Sequence, residues 1–231
     1  MNSIWFSFLS GMFFMMTVSV CTGAVPVVGR NSIQSGNKSV HFYKGGVVLI
    51  AGKGIRCHTS LNMGTSGGYF SFGSKKVLKS SFSSPEKGVF LYKATVPEDK
   101  KGTEMEVSQE VSLTPMGSLE FQIQWKAADK RNLRDFFYIL RFPMAHFKNQ
   151  KVPAGSYETT VLNQSKYGFF NKSNFPDPKL VFYAWDDARR FSIQCEGKVK
   201  IIMQSVKDKD FLLRIYPDPG SNVLRFTLLF Q

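Results

Sequence analysis

The sequence predicts an all-β protein, built as one large, mainly antiparallel β-sandwich with very little helix. Past the first 24 residues, apolar side chains recur with a period of two rather than 3.6 over almost the whole chain. No stretch offers more than about ten residues of helical pattern, which argues against an α/β fold. With 43% hydrophobic residues among 231, the chain can bury a core, so a disordered polymer is excluded as well.

The clearest strand pair lies in the middle of the chain. From Glu104 to Leu113, apolar side chains alternate with Glu and Ser, and from Leu119 to Trp125 they alternate with Glu and Gln. A turn-like Thr-Pro-Met-Gly sequence at 114–117 separates the two runs. This pattern predicts an antiparallel hairpin with one buried and one solvated face.

The remaining strands follow from similar runs bounded by Gly, Pro, Asn or Asp. Taken in order, they are predicted at 39–43, 46–51, 54–60, 68–73, 76–82, 88–96, 135–142, 157–162, 180–185, 190–195, 198–205, 210–216 and 222–230. The runs at 135–142 and 222–230 are apolar on both faces, as central strands are. Roughly twelve to fifteen strands are too many for one open sheet, so we expect two packed sheets over residues 36–231.

The alternation also predicts which side chains face the core between the sheets. They are Met105, Val107, Val111, Leu119, Phe121, Ile123, Trp125, Leu140, Phe211, Leu213, Ile215, Leu224, Phe226 and Leu228.

Residues 1–24 contain no charged side chain and are mostly apolar or small, which is typical of a signal peptide. Thr22 and Ala24 would occupy the −3 and −1 positions of a signal-peptidase cleavage site after Ala24. The segment predicts a secreted protein, whether extracellular, periplasmic or at the cell surface.

Residues 25–35 are expected to form a loose leader ahead of the sandwich domain. The alternatives at this end of the chain are an uncleaved membrane anchor and a lipid attached at Cys21.

Two cysteines, Cys57 and Cys195, follow the predicted signal peptide. In an oxidising compartment they can form one long-range disulfide. The alternative is that both are small buried apolar side chains, because Cys195 ends the strand-like run at 190–195.

Thirty Lys and Arg against 17 Asp and Glu give a formal net charge of +13. This excess is spread along the chain, which favours adhesion to a glycan or other polyanion at a cell surface over a shaped nucleic-acid groove. We therefore expect no nucleic-acid partner, and membrane contact only through an uncleaved N-terminus. The alternative is that the lysines keep a β-rich protein soluble and protect its sheet edges.

Motifs for metal or nucleophile chemistry are few. His41, His58 and His146 are isolated in the sequence, so neither a metal site nor a cofactor is expected. A Gly-Thr-Ser-Gly-Gly string places Ser66 in a G-x-S-x-G pattern, but strand-like residues follow it where a hydrolase needs a helix. The segment is better interpreted as a glycine-rich turn.

The best candidate for ligand contact is a loop at the end of a predicted strand. It brings together Trp185, Asp186, Asp187, Arg189 and Arg190. An indole can stack on a sugar ring while carboxylates bind the sugar hydroxyls. Tyr183 and Tyr69 are further stacking candidates, and the alternative is a polar turn with a solvated charge cluster.

A second candidate is the solvated face of the central hairpin. Its polar side chains are Glu104, Glu106, Glu110, Glu120, Gln122 and Gln124. They could line a concave surface and supply the two carboxyls that a glycosidase needs. The alternative is an ordinary solvated sheet face, which has the same composition.

The strand sequences also resemble a known group of domains. The segments that carry the resemblance are 117–125, 135–143, 147–152, 210–216 and 224–230. They look like the long strands and following proline corner of β-sandwich domains in secreted bacterial carbohydrate-active proteins. The resemblance implies a supersandwich-like arrangement and a carbohydrate context, and it transfers no active-site residue.

Three functions are consistent with these observations. The first is a secreted non-catalytic module that binds carbohydrate, with an acidic glycan as the candidate ligand. The second is a carbohydrate-active enzyme, a lyase or hydrolase, that uses carboxylates with Tyr183 or His146 as acid or base. The third is a structural or surface-assembly protein whose function is the fold itself.

Overall fold

A computed structural model describes residues 26–52, 54–161, 168, 170–206 and 209–230. The predicted signal peptide at residues 1–24 lies outside these residues. Within the described ranges, no helix is long and apolar enough to cross a membrane.

The described residues form nineteen strands and two short 3₁₀ helices. The strands are β1 (Val27–Val28), β2 (Ser32–Ser35), β3 (Lys38–Phe42), β4 (Val48–Gly52), β5 (Ile55–Thr65), β6 (Gly68–Ser71), β7 (Lys79–Ser83), β8 (Val89–Pro97), β9 (Glu104–Leu113), β10 (Leu119–Lys126), β11 (Leu133–Pro143), β12 (Lys151–Ala154), β13 (Tyr157–Thr160), β14 (Phe170–Pro176), β15 (Lys179–Phe182), β16 (Phe191–Cys195), β17 (Lys198–Val206), β18 (Asp210–Pro217) and β19 (Val223–Phe230). The 3₁₀ helices are Lys130–Asn132 and Met144–His146.

The strands form two large antiparallel sheets, which confirms the predicted all-β sandwich. The first sheet has the order β1-β2-β3-β4-β5-β11-β18-β17-β14, with β6 also paired to β5. The second has the order β13-β12-β15-β16-β19-β10-β9-β8-β7. Four strands were not predicted: β1, β2 and β12 are too short to show a period, and the pairing of β14 is interrupted by a register shift between Lys172 and Phe175.

The core lies between the two sheets, and all of the side chains predicted to face it are buried. The predicted hairpin is β9 and β10, where Phe121 lies opposite Val111. Trp125 of the second sheet stacks on Phe136 of the first, with ring centroids 3.7 Å apart. Such contacts between large rings join the two sheets through apolar burial.

The expectation of a loose leader at residues 25–35 is wrong for most of that segment. Strand β2 pairs with β3, and Ile33, opposite Val40, is only 1% exposed. Because Ile33 contributes to the common core, the sandwich begins before residue 36.

Of the two alternatives for Cys57 and Cys195, the structure has free cysteines and no disulfide between them. Both are free, buried thiols, Cys57 on β5 of the first sheet and Cys195 on β16 of the second. They therefore act as the small apolar side chains of the alternative interpretation. Burial raises the pKa of the Cys57 thiol and raises that of Cys195 to about 12.

One charged side chain, Glu98, is fully buried and organises the connection from β10 to β11. Its carboxylate accepts hydrogen bonds from the backbone N–H groups of Ala128 and Asp129 at 2.6 and 2.7 Å, and from Asn132 Nδ2 at 3.1 Å. Burial acts to raise the pKa of Glu98, but these donors outweigh it and lower the pKa below its ordinary value. The connection is thus fixed by charge-assisted hydrogen bonds.

Candidate functional site

A broad groove crosses the solvent-facing side of the second sheet. We call it the sheet groove; it has a volume of about 910 Å³ and is lined by residues of β7, β8, β9, β10 and β19. Neighbouring strands lie about 4.8 Å apart, so five of them give the groove a length of roughly 19 Å. This is large enough for several units of a polymer.

Strand alternation explains which side chains line the sheet groove. Lys93 lies between Tyr92 and Ala94, which are both buried, so its side chain faces solvent. Lys93 is opposite Ser108, and Ser108 is opposite Gln124, so polar groups form a row across three strands.

The sheet groove has an excess of positive charge. Lys79, Lys93, Lys126 and Arg225 line it, against a single carboxylate, Glu106. The three lysines make no ion pair within the described part of the chain, and all four cations are exposed. Their charges are therefore available to an external anion.

Arg225 connects the sheet groove to a neighbouring cavity of about 300 Å³ on the same face. The arginine lines both, and its Nε donates a 2.9 Å hydrogen bond to Gln122 Oε1. Three carboxylates, Glu110, Glu120 and Glu196, line the smaller cavity. The hairpin face of Glu and Gln residues thus faces solvent as predicted. Its members line one or other of the two depressions, except Glu104, which lines neither.

The loop predicted to bind ligand is an ordered turn, residues 183–190, which we call the Trp185 turn. Asp186 Oδ2 accepts a 2.7 Å hydrogen bond from Arg189 Nε within an ion pair. The Arg189 side chain and backbone lower the pKa of Asp186. Asp187 pairs with Arg190 at 2.6 Å, and Arg190 also donates to the backbone oxygen of Ala184.

The Trp185 turn is also attached to the first sheet. Asn37, in the connection between β2 and β3, donates a 3.1 Å hydrogen bond from Nδ2 to the Ala188 oxygen. Burial lowers the pKa of Lys38, and the nearby Asp186 carboxylate opposes this effect. A hydrogen bond from Asn37 and the attraction between Lys38 and Asp186 therefore link the turn to the first sheet.

The two aromatic candidates in the Trp185 turn differ in exposure. Trp185 is 38% exposed and packs edge-on against Phe147. Tyr183 is fully buried beneath the Arg189 guanidinium, which lies 5.0 Å from its ring centroid, so Tyr183 offers no stacking surface to a ligand.

Tyr183 is also a poor candidate for acid or base chemistry near neutral pH. His146 Nδ1 lies 3.3 Å from its hydroxyl, so the two residues do meet. Burial, however, raises the pKa of Tyr183 to about 12, which makes the hydroxyl a weak acid and leaves almost no phenolate to act as a base.

The other sequence candidates lie on the first sheet or its connections. Tyr69 on β6 is 50% exposed, and its hydroxyl donates a 3.3 Å hydrogen bond to Asn62 Oδ1. Ser66 lies in the turn between β5 and β6, as the glycine-rich interpretation predicts. In the described ranges, no three His, Cys, Asp or Glu side chains converge on a position that could hold a metal ion.

Sequence reasoning missed the cations of the sheet groove. Each stands alone on its strand, and they become neighbours only through strand pairing, which joins the consecutive strands β7 to β10 and brings the distant β19 beside β10. The available signal was their alternation with buried residues, as for Lys126 beside Trp125. No known protein family matches this chain, and a search of curated proteins finds no relative.

Proposed function

We propose that this protein is a secreted, non-catalytic module that binds acidic glycans through the sheet groove. The observation that carries the proposal is the set of exposed cations, none of them in an ion pair with another described residue, that line a groove spanning five strands. The apolar sequence of residues 1–24 supports export, and the resemblance of the strand sequences supports a carbohydrate context.

A repeating polyanion matches this arrangement better than a small ligand does. The cations come from β7, β8, β10 and β19, so they are distributed along the groove instead of converging on one point. Serine, threonine and glutamine between them can bind sugar hydroxyls. The net charge of +13 adds a long-range field that attracts an anionic polymer.

The direct test is binding of the full chain to immobilised heparin, with neutral dextran as the comparison. Binding to heparin should weaken steeply as salt rises, because the Debye length falls from about 10 Å at 0.1 M to about 3 Å at 1 M. The double variant Lys93→Ala/Lys126→Ala should bind roughly 30-fold more weakly, since each cation near an anionic surface contributes about 1 kcal/mol.

The matched control is Lys148→Ala/Lys209→Ala, which removes the same charge from exposed positions outside the groove. Equal loss of binding in both double variants would show that net charge, not the sheet groove, governs adhesion. Salt-insensitive binding to dextran would contradict the acidic-glycan proposal.

A carbohydrate-active enzyme is the second candidate, favoured by the three carboxylates of the cavity next to the groove. Two carboxyl groups across a glycosidic bond are what hydrolysis requires. Release of reducing ends or unsaturated uronates from the bound glycan would support this candidate. Absence of both binding and turnover would leave the structural or surface-assembly function.

A further inference from the structure

The β18–β19 loop, residues 218–222, is surrounded by depressions. The sheet groove reaches it at Asn222. A second depression, of about 330 Å³, is lined by Asp218 and Ser221. A third, of about 340 Å³, is lined by the same two residues, and we call it the end pocket.

Neighbouring depressions share lining residues, which places them side by side around the loop. Val223 and Arg225 line both the sheet groove and the middle depression. Pro217 lines both the middle depression and the end pocket. A chain lying in the groove can continue over the loop without leaving the protein surface.

The loop is held by its own hydrogen bonds. Ser221 Oγ donates to the Val223 oxygen at 2.6 Å, and the Ser221 backbone N–H donates to the Asp218 oxygen at 2.9 Å. A surface that is already ordered loses less conformational entropy when a ligand binds.

The end pocket differs from the groove in its chemistry. Its most accessible aromatic side chain is the half-buried Tyr216; the stacked pair Trp125 and Phe136 also lines it but is only 7% and 6% exposed. Two cations, Arg134 and Lys200, also line it, and Lys200 Nζ lies 5.4 Å from the Tyr216 ring centroid. Aromatic and cationic groups together suit a sugar ring that carries a sulfate or carboxylate.

The end pocket also contains hydrogen-bond acceptors. The carboxylates of Asp135 and Asp218 line it and can accept hydrogen bonds from sugar hydroxyls. The pocket thus combines the groups needed for one charged sugar unit, whereas the sheet groove presents mainly a row of charges.

We infer that the sheet groove and the end pocket form one continuous site for an extended acidic oligosaccharide, with the end pocket holding its terminal charged sugar. This inference rests on the proposed function and deepens it. It requires affinity to increase once the oligosaccharide is long enough to extend from the groove into the pocket.

The test uses heparin-derived tetra-, hexa-, octa- and decasaccharides with the full chain. Affinity should rise with length and then level off. The double variant Arg134→Ala/Lys200→Ala should bind the longest oligosaccharide roughly 30-fold more weakly and the tetrasaccharide within about twofold of the unaltered protein. Lys148→Ala/Lys209→Ala is again the charge-matched control.

Hydrogen exchange supplies a measurement that needs no variant. Decasaccharide should protect the backbone amides of residues 218–222, whereas tetrasaccharide should leave them unchanged. An equal loss of affinity for short and long oligosaccharides in the end-pocket variant, or no protection of the loop, would overturn the inference. Absence of any heparin binding would instead overturn the proposed function itself.

Discussion

The Trp185 turn and the sheet groove both gather charged side chains, but they use the charges differently. In the turn, Asp186 pairs with Arg189 and Asp187 pairs with Arg190. In the groove, Lys93 and its neighbouring lysines have no carboxylate partner within the described residues. The charges of the turn are therefore paired within the protein, whereas the cations of the groove remain available to a ligand.

This difference shows why a charge cluster in sequence is weak evidence for a binding site. Residues close in sequence can pair with each other, and a ligand must then replace contacts that already exist. Cations brought together from separate strands have their backbones fixed by the sheet, and their side chains stay solvated. The accessible charge, not the density of charge along the chain, identifies the better candidate.

Glu98 is a fully buried charge whose hydrogen bonds all lie within the protein. Its removal should have the largest effect on stability of the substitutions considered. Glu98→Ala should lower the free energy of unfolding by about 3 kcal/mol, because buried donors lose their charged acceptor. Urea unfolding measures the change. A loss below about 1 kcal/mol would show that the β10–β11 connection is not held by this carboxylate.

The same residue should contribute to acid sensitivity. Its pKa is lowered in the folded state from an ordinary value of 4.5, so its stabilising effect is present above about pH 4.5 and is lost as the pH falls through the folded pKa. The unfolding free energy of Glu98→Gln should therefore decline less between about pH 6 and pH 3 than that of the unaltered protein. An identical decline in the two proteins would contradict this assignment.

The next prediction compares substitutions of one arginine in the sheet groove and one in the Trp185 turn. Arg225→Glu should weaken heparin binding by about 2 kcal/mol, or roughly 30-fold, because it replaces a groove cation with a repelling charge. Arg189→Glu changes the net charge equally but should leave binding within about twofold and lower the urea midpoint, because it disrupts the Trp185 turn. Equal binding losses would mean that the two regions do not differ as described.

The smallest effect concerns the indole. Trp185→Ala should reduce the free energy of unfolding by about 1 kcal/mol, because its ring contacts with Phe147 and Tyr183 are lost. Heparin affinity should stay within about twofold. A large loss of affinity, measured on the same immobilised glycan, would restore the Trp185 turn as the binding site.

Much of the fold was predictable because alternation is strong where strands are long and one face is buried. The hairpin of β9 and β10 is an example: the Glu and Gln residues assigned to its outer face were correctly predicted to face solvent, whereas Gln109 of β9 is buried. The leader was misjudged because Val27–Val28 and Ser32–Ser35 are too short to show a period.

The candidate site was less predictable because it depends on pairing between distant segments. Lys79 and Arg225 line the same groove, although nearly the whole domain separates them in sequence. No local pattern encodes that proximity. The Trp185 cluster was predicted as a ligand site because its residues are adjacent in sequence, but that adjacency also lets its charges pair with each other.

Because the thiols of Cys57 and Cys195 are buried, they can be oxidised only when the sandwich unfolds. The thiolate is the species that oxidises, and the folded core suppresses it at both Cys57 and Cys195. When the sandwich unfolds, both sulfurs meet solvent and become reactive, and an oxidant can then trap the open chain. Oxidation of these two thiols is consequently limited by how often the sandwich opens, so slower unfolding also protects them chemically.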